Sequence, residues 1–162
     1  MSETPAPAVQ DHYPEDFAHC YGCGRLNEHG LHVQTRWEGD GTVARFTPRP
    51  YHAAVPGYVY GGLLASLVDC HAMATASAAT VRASGRQVGE GEAPRFVTGS
   101  LRVDYLLPTP LGPELELRGR VRRTDGRRVT VEVTVAAGGQ VTAQGEVLAV
   151  LIPQAMTAPP RP

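Results

Sequence analysis

The sequence predicts an α+β domain in which one long buried helix is wrapped by an antiparallel sheet of about six strands. Three observations predict it. The stretch from Pro56 to Val81, PGYVYGGLLASLVDCHAMATASAATV, is Ala-rich and apolar nearly all round, as a fully buried helix must be. After Phe96 the hydrophobic pattern changes to period two and stays there, with hairpin signals at Asp125-Gly126 and Gly138-Gly139. A shorter alternating hairpin precedes the helix and turns at Gly39-Asp40-Gly41.

The elements follow in order. A chain of 162 residues supplies one domain with a sizeable core. Residues 1–15 are Pro/Ala-rich and polar and read as a flexible N-terminal arm; 16–153 form the single domain, and 154–162 a flexible tail. Asp16 to Leu31, DFAHCYGCGRLNEHGL, is rich in turn formers and predicts a short helical turn and an ordered loop. His32–Glu38 and Thr42–Thr47 make the first hairpin, and Pro48–Pro56 connects it onward. The helix is expected from Gly61 or Gly62 through about Ala83. After a Gly-rich loop at Ser84–Pro94, four strands are expected over Phe96–Leu107, Glu114–Arg123, Arg128–Ala137 and Val141–Ile152. In the first of them Leu101, Val103, Tyr105 and Leu107 are expected to share one face.

The totals exclude several functions. A formal net charge of −1 points away from nucleic acid and from membrane surfaces as partners. Every basic residue is Arg, so there is no Schiff-base lysine and no P-loop lysine. The Arg cluster around residues 118–128 reads as a solvated sheet face, with contact to the phosphates of a ligand as the other reading. The N-terminus lacks the apolar core of a secretory signal, and no run reaches the ~20 apolar residues of a spanning helix. Three cysteines make a poor disulfide framework, and the expectation is a reduced cytoplasmic protein. Cys20 and Cys23 form a C-x-x-C. A structural zinc would need two more ligands, and spacing nominates none of His19, His29, His32 or Cys70, so ordered loop packing is expected, with no metal site and no cofactor.

One carboxylate, Asp69, sits within the apolar helix, where a charge needs a partner or a task. It either pairs structurally with an Arg or does chemistry. Gly61 and Gly62 precede it at the predicted helix start, where free backbone N–H groups can polarise a carbonyl and glycine admits it closely. The plainer reading of the pair is a tight loop-to-helix junction. Asp69 and His71 are two residues apart and face different sides of a helix, which argues against a dyad.

Three segments carry a family resemblance. CYGCGRLNEHGL (Cys20–Leu31) is similar to a CFGCG-x-x-N-x-x-GL opening. YGGLLASLVD (Tyr60–Asp69) is similar to an HGG motif followed by an Asp nine residues after the His. VTGSLRVDYLLPTPLG (Val97–Gly112) resembles a strand bearing Ser or Thr, then Tyr, then a Pro turn. Together they resemble the PaaI-like acyl-CoA thioesterases of the hotdog superfamily. The resemblance implies a hotdog fold, an acyl-CoA substrate, and a homodimer or dimer of dimers with active sites shared across protomers. It implies Asp69 as nucleophile or general base, Gly61 as oxyanion-hole glycine and Thr98 as water-positioning residue. Tyr60, Gly62 and Ser66 would contact substrate. The His position of the motif is Tyr60 here, and an Asn that some members carry six residues earlier is Ala54. These two departures motivate the alternative of a non-catalytic acyl-CoA or small-ligand binder.

Overall fold

A computed structural model describes residues 3–157 of the chain. Its strands are β1 (Arg36–Glu38), β2 (Gly41–Phe46), β3 (Phe96–Tyr105), β4 (Leu115–Asp125), β5 (Arg128–Ala137) and β6 (Gln140–Leu151), and its one α-helix is α1 (Gly61–Ala83). The strands form one six-stranded antiparallel sheet in the order β1-β2-β4-β5-β6-β3. The expected α+β architecture is therefore found. β1 is shorter than the alternating pattern from His32 suggested.

The sheet is built by alternation. Val129, Val131, Val133 and Val135 of β5 are buried, and so are Leu115 and Leu117 of β4 and Ala143, Val147 and Ala149 of β6. Their intervening neighbours are more exposed, so one face of the meander packs and the other is wet. Leu63, Leu64, Leu67, Val68, Ala72, Met73 and Ala76 of α1 complete the same core. On the wet face Arg118 pairs with Glu116 at 2.8 Å and Arg120 with Asp40 at 3.2 Å, while Arg122 pairs with Glu132. These arginines thus form a solvated, internally paired surface.

α1 carries the chain from β2, near one edge of the sheet, to β3, which is the opposite edge. Its two halves differ. From Cys70 to Ala78 every residue is buried; in the first half Gly61, Gly62, Ala65, Ser66 and Asp69 form a half-buried stripe. The helix supplies no span: among the described residues no helix is long and apolar enough to cross a membrane.

The N-terminal segment departs from expectation. Residues 1 and 2 lie outside the described residues, but from Ala8 onward the expected flexible arm is packed. Ala8, Val9, Gln10 and Tyr13 are buried, and Val9 and Tyr13 cluster with Ala74 and Ala78 of α1. The Val9 N–H donates to the Thr35 carbonyl at 2.9 Å, and the Gln10 amide exchanges two hydrogen bonds with Thr35. The reason is that the second half of α1 is apolar on the side the sheet does not cover, and this segment covers it. Of the expected tail, Gln154–Met156 form a short 3₁₀ turn and residues 158–162 lie outside the described residues.

Candidate active site

The N-terminus of α1 is built by Tyr60 as N-cap residue, in extended conformation with ψ of 128°. Its N–H donates to the His52 carbonyl at 2.9 Å, and its carbonyl accepts from Leu63 and Leu64. No side chain caps the helix. Gly61 and Gly62 therefore present the N–H groups that a helix cannot satisfy internally, at the positive end of its dipole. The Tyr105 hydroxyl, at the end of β3, donates to the Gly61 carbonyl at 2.7 Å and fixes this corner to the sheet edge. The Tyr60 ring lies against Gly62, so closely that a side-chain carbon there would meet it at 2.4 Å.

Asp69 is half-buried on the stripe of α1 that begins at the glycines. The Thr98 hydroxyl donates to its Oδ1 at 2.5 Å. Burial raises the Asp69 carboxyl above the usual carboxylate range; the Thr98 hydrogen bond opposes the rise, Cys20 adds to it and Arg95 lowers it. Ser66, between the glycines and Asp69, donates its hydroxyl to the Gly62 carbonyl at 2.9 Å. The site residues read from the sequence thus lie along one line of one helix, with Thr98 reaching it from β3.

Gly61 and Asp69 are eight residues apart, or about 12 Å along the axis. One helix cannot place both against a single carbonyl carbon. β3 borders this stripe and is an edge strand whose outer side has no neighbouring strand among the described residues. Leu101 and Tyr105 on it are exposed, as are Leu106 and Leu107 just beyond. A long edge strand with exposed apolar side chains is a template for pairing with a second strand.

Three features escaped the sequence reading. The first is the bulge in β3: Thr98 pairs with Ala149 and Ser100 with Leu148, so Gly99 is an extra residue. The second is the bond from Tyr105, expected as a strand and motif residue, to the Gly61 carbonyl. The third is Cys70. It lies next to Asp69 but turns to the loop, where its Sγ is 3.8 Å from that of Cys20, with Cys23 beside them. His71 is fully buried away from Asp69. Its Nδ1 meets the Thr35 hydroxyl at 2.8 Å and its Nε2 the Thr42 hydroxyl at 3.2 Å. It is a satisfied core histidine.

The family model described as Thioesterase superfamily matches residues 56–144, which include the glycines, Asp69, Thr98 and Tyr105. Acyl-coenzyme A thioesterase THEM4 of Xenopus laevis is 32% identical over 87 residues, covering 54% of this chain and 33% of that protein. The Mus musculus protein of the same name is 27% identical over 111 residues, covering 68% and 42%. The chain thus spans less than half the length of these curated relatives. The crystal structure of a thioesterase superfamily protein from Shewanella loihica PV-4 superposes with a TM-score of 0.66 at 42% identity, over 85% of this chain and 97% of that one. The PaaI protein of the E. coli phenylacetic acid degradation operon shares the fold, with a TM-score of 0.61 at 16% identity over 76% and 81%.

Proposed function

This chain belongs to the thioesterase superfamily and has its hotdog fold, and from that premise we propose that it hydrolyses an acyl-CoA thioester to the free acid and CoA. The observation that carries the proposal is the Thr98–Asp69 hydrogen bond on the same half-buried stripe as the uncapped N–H groups of Gly61 and Gly62.

The assembly in this reading is a dimer, alone or paired again, in which β3 edges join and α1 of one protomer faces α1 of the other. Gly61, with Gly62, then serves a carbonyl that Asp69 of the other protomer attacks or hydrates, which removes the separation of about 12 Å along one helix. The Gly61 N–H holds the developing oxyanion. Asp69 takes the proton of a water that Thr98 helps to orient; the water oxygen bonds to the thioester carbon. Collapse of the tetrahedral intermediate breaks the carbon–sulfur bond, and the CoA thiolate leaves and takes up the proton. Direct attack by the carboxylate, through an acyl-enzyme anhydride that water then cleaves, uses the same geometry. Tyr60, Gly62 and Ser66 line the approach to the carbonyl and contact the substrate. A cytoplasmic setting is part of the proposal.

A second reading has an observation of its own. Tyr60 stands where the motif has His, and its ring covers Gly62. If that ring closes the oxyanion site, the protein binds acyl-CoA without turning it over.

The deciding experiment is CoA release from a panel of acyl-CoA esters by the wild type and by Asp69→Asn. Multiple turnovers lost in the variant support hydrolysis. Saturable binding without CoA release supports the second reading, and an Asp69→Asn rate equal to wild type overturns the assignment of Asp69.

A further inference from the structure

The C-x-x-C loop is anchored more firmly than packing requires. The Cys20 carbonyl accepts from the Gly24 N–H at 2.7 Å, and the Tyr21 and Gly22 carbonyls accept from Leu31 and Val33 at 2.9 and 3.1 Å. This backbone lattice turns both thiols to one side. α1 delivers the third from Cys70, and the three Sγ atoms lie within 4.8 Å of one another. The Cys20–Cys70 separation of 3.8 Å equals the edge of a tetrahedron whose centre is about 2.3 Å from each sulfur, the Zn–S bond length.

Two further observations fit a metal-binding cluster better than three packed thiols. Gly22 is obligatory for the third ligand, since a side-chain carbon there would sit 2.2 Å from the Cys70 sulfur. Arg95 is half-buried near both the thiols and Asp69; it donates to the Phe96 carbonyl and makes no ion pair with a carboxylate among the described residues. A dication held by three thiolates would carry one net negative charge, which this guanidinium would help to balance. The Tyr13 ring packs under the same guanidinium, and its buried hydroxyl has no hydrogen-bond partner among the described residues.

We propose that Cys20, Cys23 and Cys70 form a three-thiolate site for one thiophilic metal ion, Zn²⁺ by its donor set, with the fourth position open to an exogenous ligand. Sulfur donors select borderline and soft ions over Mg²⁺ or Ca²⁺, and three protein ligands leave a tetrahedral ion one free position. The ion would staple the loop at Cys20–Cys23 to α1 at the residue after Asp69.

The test uses the full chain, purified reduced and without chelator. Metal content is measured first; the metal-free protein is then titrated with Co²⁺ and back-titrated with Zn²⁺. Expected are one equivalent of Co²⁺ with sulfur-to-cobalt charge-transfer absorption, its displacement by Zn²⁺, and a higher Tm with Zn²⁺ than after chelation. Cys70→Ser and Cys23→Ser should weaken Co²⁺ binding by roughly tenfold or more. If these buried variants fail to fold, Cys20→Ser, at the half-buried position, replaces them, with circular dichroism as the check on folding. Absence of the charge-transfer band at stoichiometric protein and Co²⁺ overturns the proposal, as does a band unchanged in a folded variant. So does a native mass two hydrogens lighter, which would show a disulfide. None of these readouts is thioester hydrolysis, so the outcome is independent of the proposed activity.

Discussion

Thr98 and Tyr105 stand an odd number of positions apart on one strand, and yet both donate hydrogen bonds to the same helix, to Asp69 and to the Gly61 carbonyl. A regular strand would turn one of them away. The extra residue at Gly99 reverses the alternation between them, so Phe96 and Thr98 before it and Leu101, Val103 and Tyr105 after it are directed to α1. The bulge lets one strand hold both ends of the candidate site.

The Thr98 hydroxyl stabilises the Asp69 carboxylate against burial. Thr98→Ala should therefore raise the Asp69 pKa further and move the acid limb of the pH–rate profile to higher pH, with kcat lower by about tenfold. Thr98→Ser should restore both. A profile that does not move in the Ala variant would remove Thr98 from the site.

Asp69 should trade stability for function. Its folded pKa is raised, so the unfolded chain ionises first as pH rises, and the stability it contributes in acid is lost as pH passes through the folded value. At neutral pH the half-buried carboxylate is a liability. Asp69→Asn should raise Tm at pH 7 while lowering kcat by about a hundredfold or more. Thermal unfolding and CoA release on the same preparation check both halves.

Leu101 is exposed on the edge strand. Leu101→Arg places two like charges near each other where β3 edges would meet, so light scattering should show a smaller assembly. Activity should fall with assembly although Asp69, Gly61 and Thr98 are untouched. A variant that stays assembled, or a monomer of full activity, would refute the shared site.

His71 sets an acid limit on stability. Burial between the Thr35 and Thr42 hydroxyls pushes its pKa down to about 3. Between that value and the ordinary pKa near 6.5 the unfolded chain binds the extra proton, so stability rises with pH through this window and is fully present above it. Urea unfolding should lose on the order of 1.4 kcal/mol per pH unit from this group on acidification. His71→Gln should flatten that dependence. It should also lower stability at neutral pH, because Thr42 and Thr75 lie too close over Gly119 to re-space around a new shape.

Much of this was legible in the chain because hydrophobic period is a local property. The helix begins at Gly61, where Gly-Gly follows the loop, and ends at Ala83, before Ser84-Gly85. The Asp-Gly and Gly-Gly turns fixed two of the hairpins. Asp69 stood out as a lone charge in an apolar run, whereas Thr98 was nominated only through the resemblance. Constant alternation from Leu101, Val103 and Tyr105 would turn Thr98 away from α1; the isolated Gly99 in the strand pattern is the signal of the bulge that corrects it. The Pro/Ala composition of the first 15 residues masked Val9 and Tyr13, whose spacing fits one face of a helical turn. Cys70 could not be joined to Cys20 and Cys23 from sequence, since only the approach of the loop to α1 brings them together.

The uneven burial of α1 gives a single helix two modes of opening. Backbone amides from Cys70 to Ala78, enclosed by the sheet, the threonine–histidine cluster and the N-terminal segment, should exchange with solvent only when the whole domain unfolds. Those of the first two turns, screened on one side by β3 alone, can exchange through local fraying. The boundary between slow and fast exchange is expected near Asp69, where the half-buried stripe ends and full burial begins.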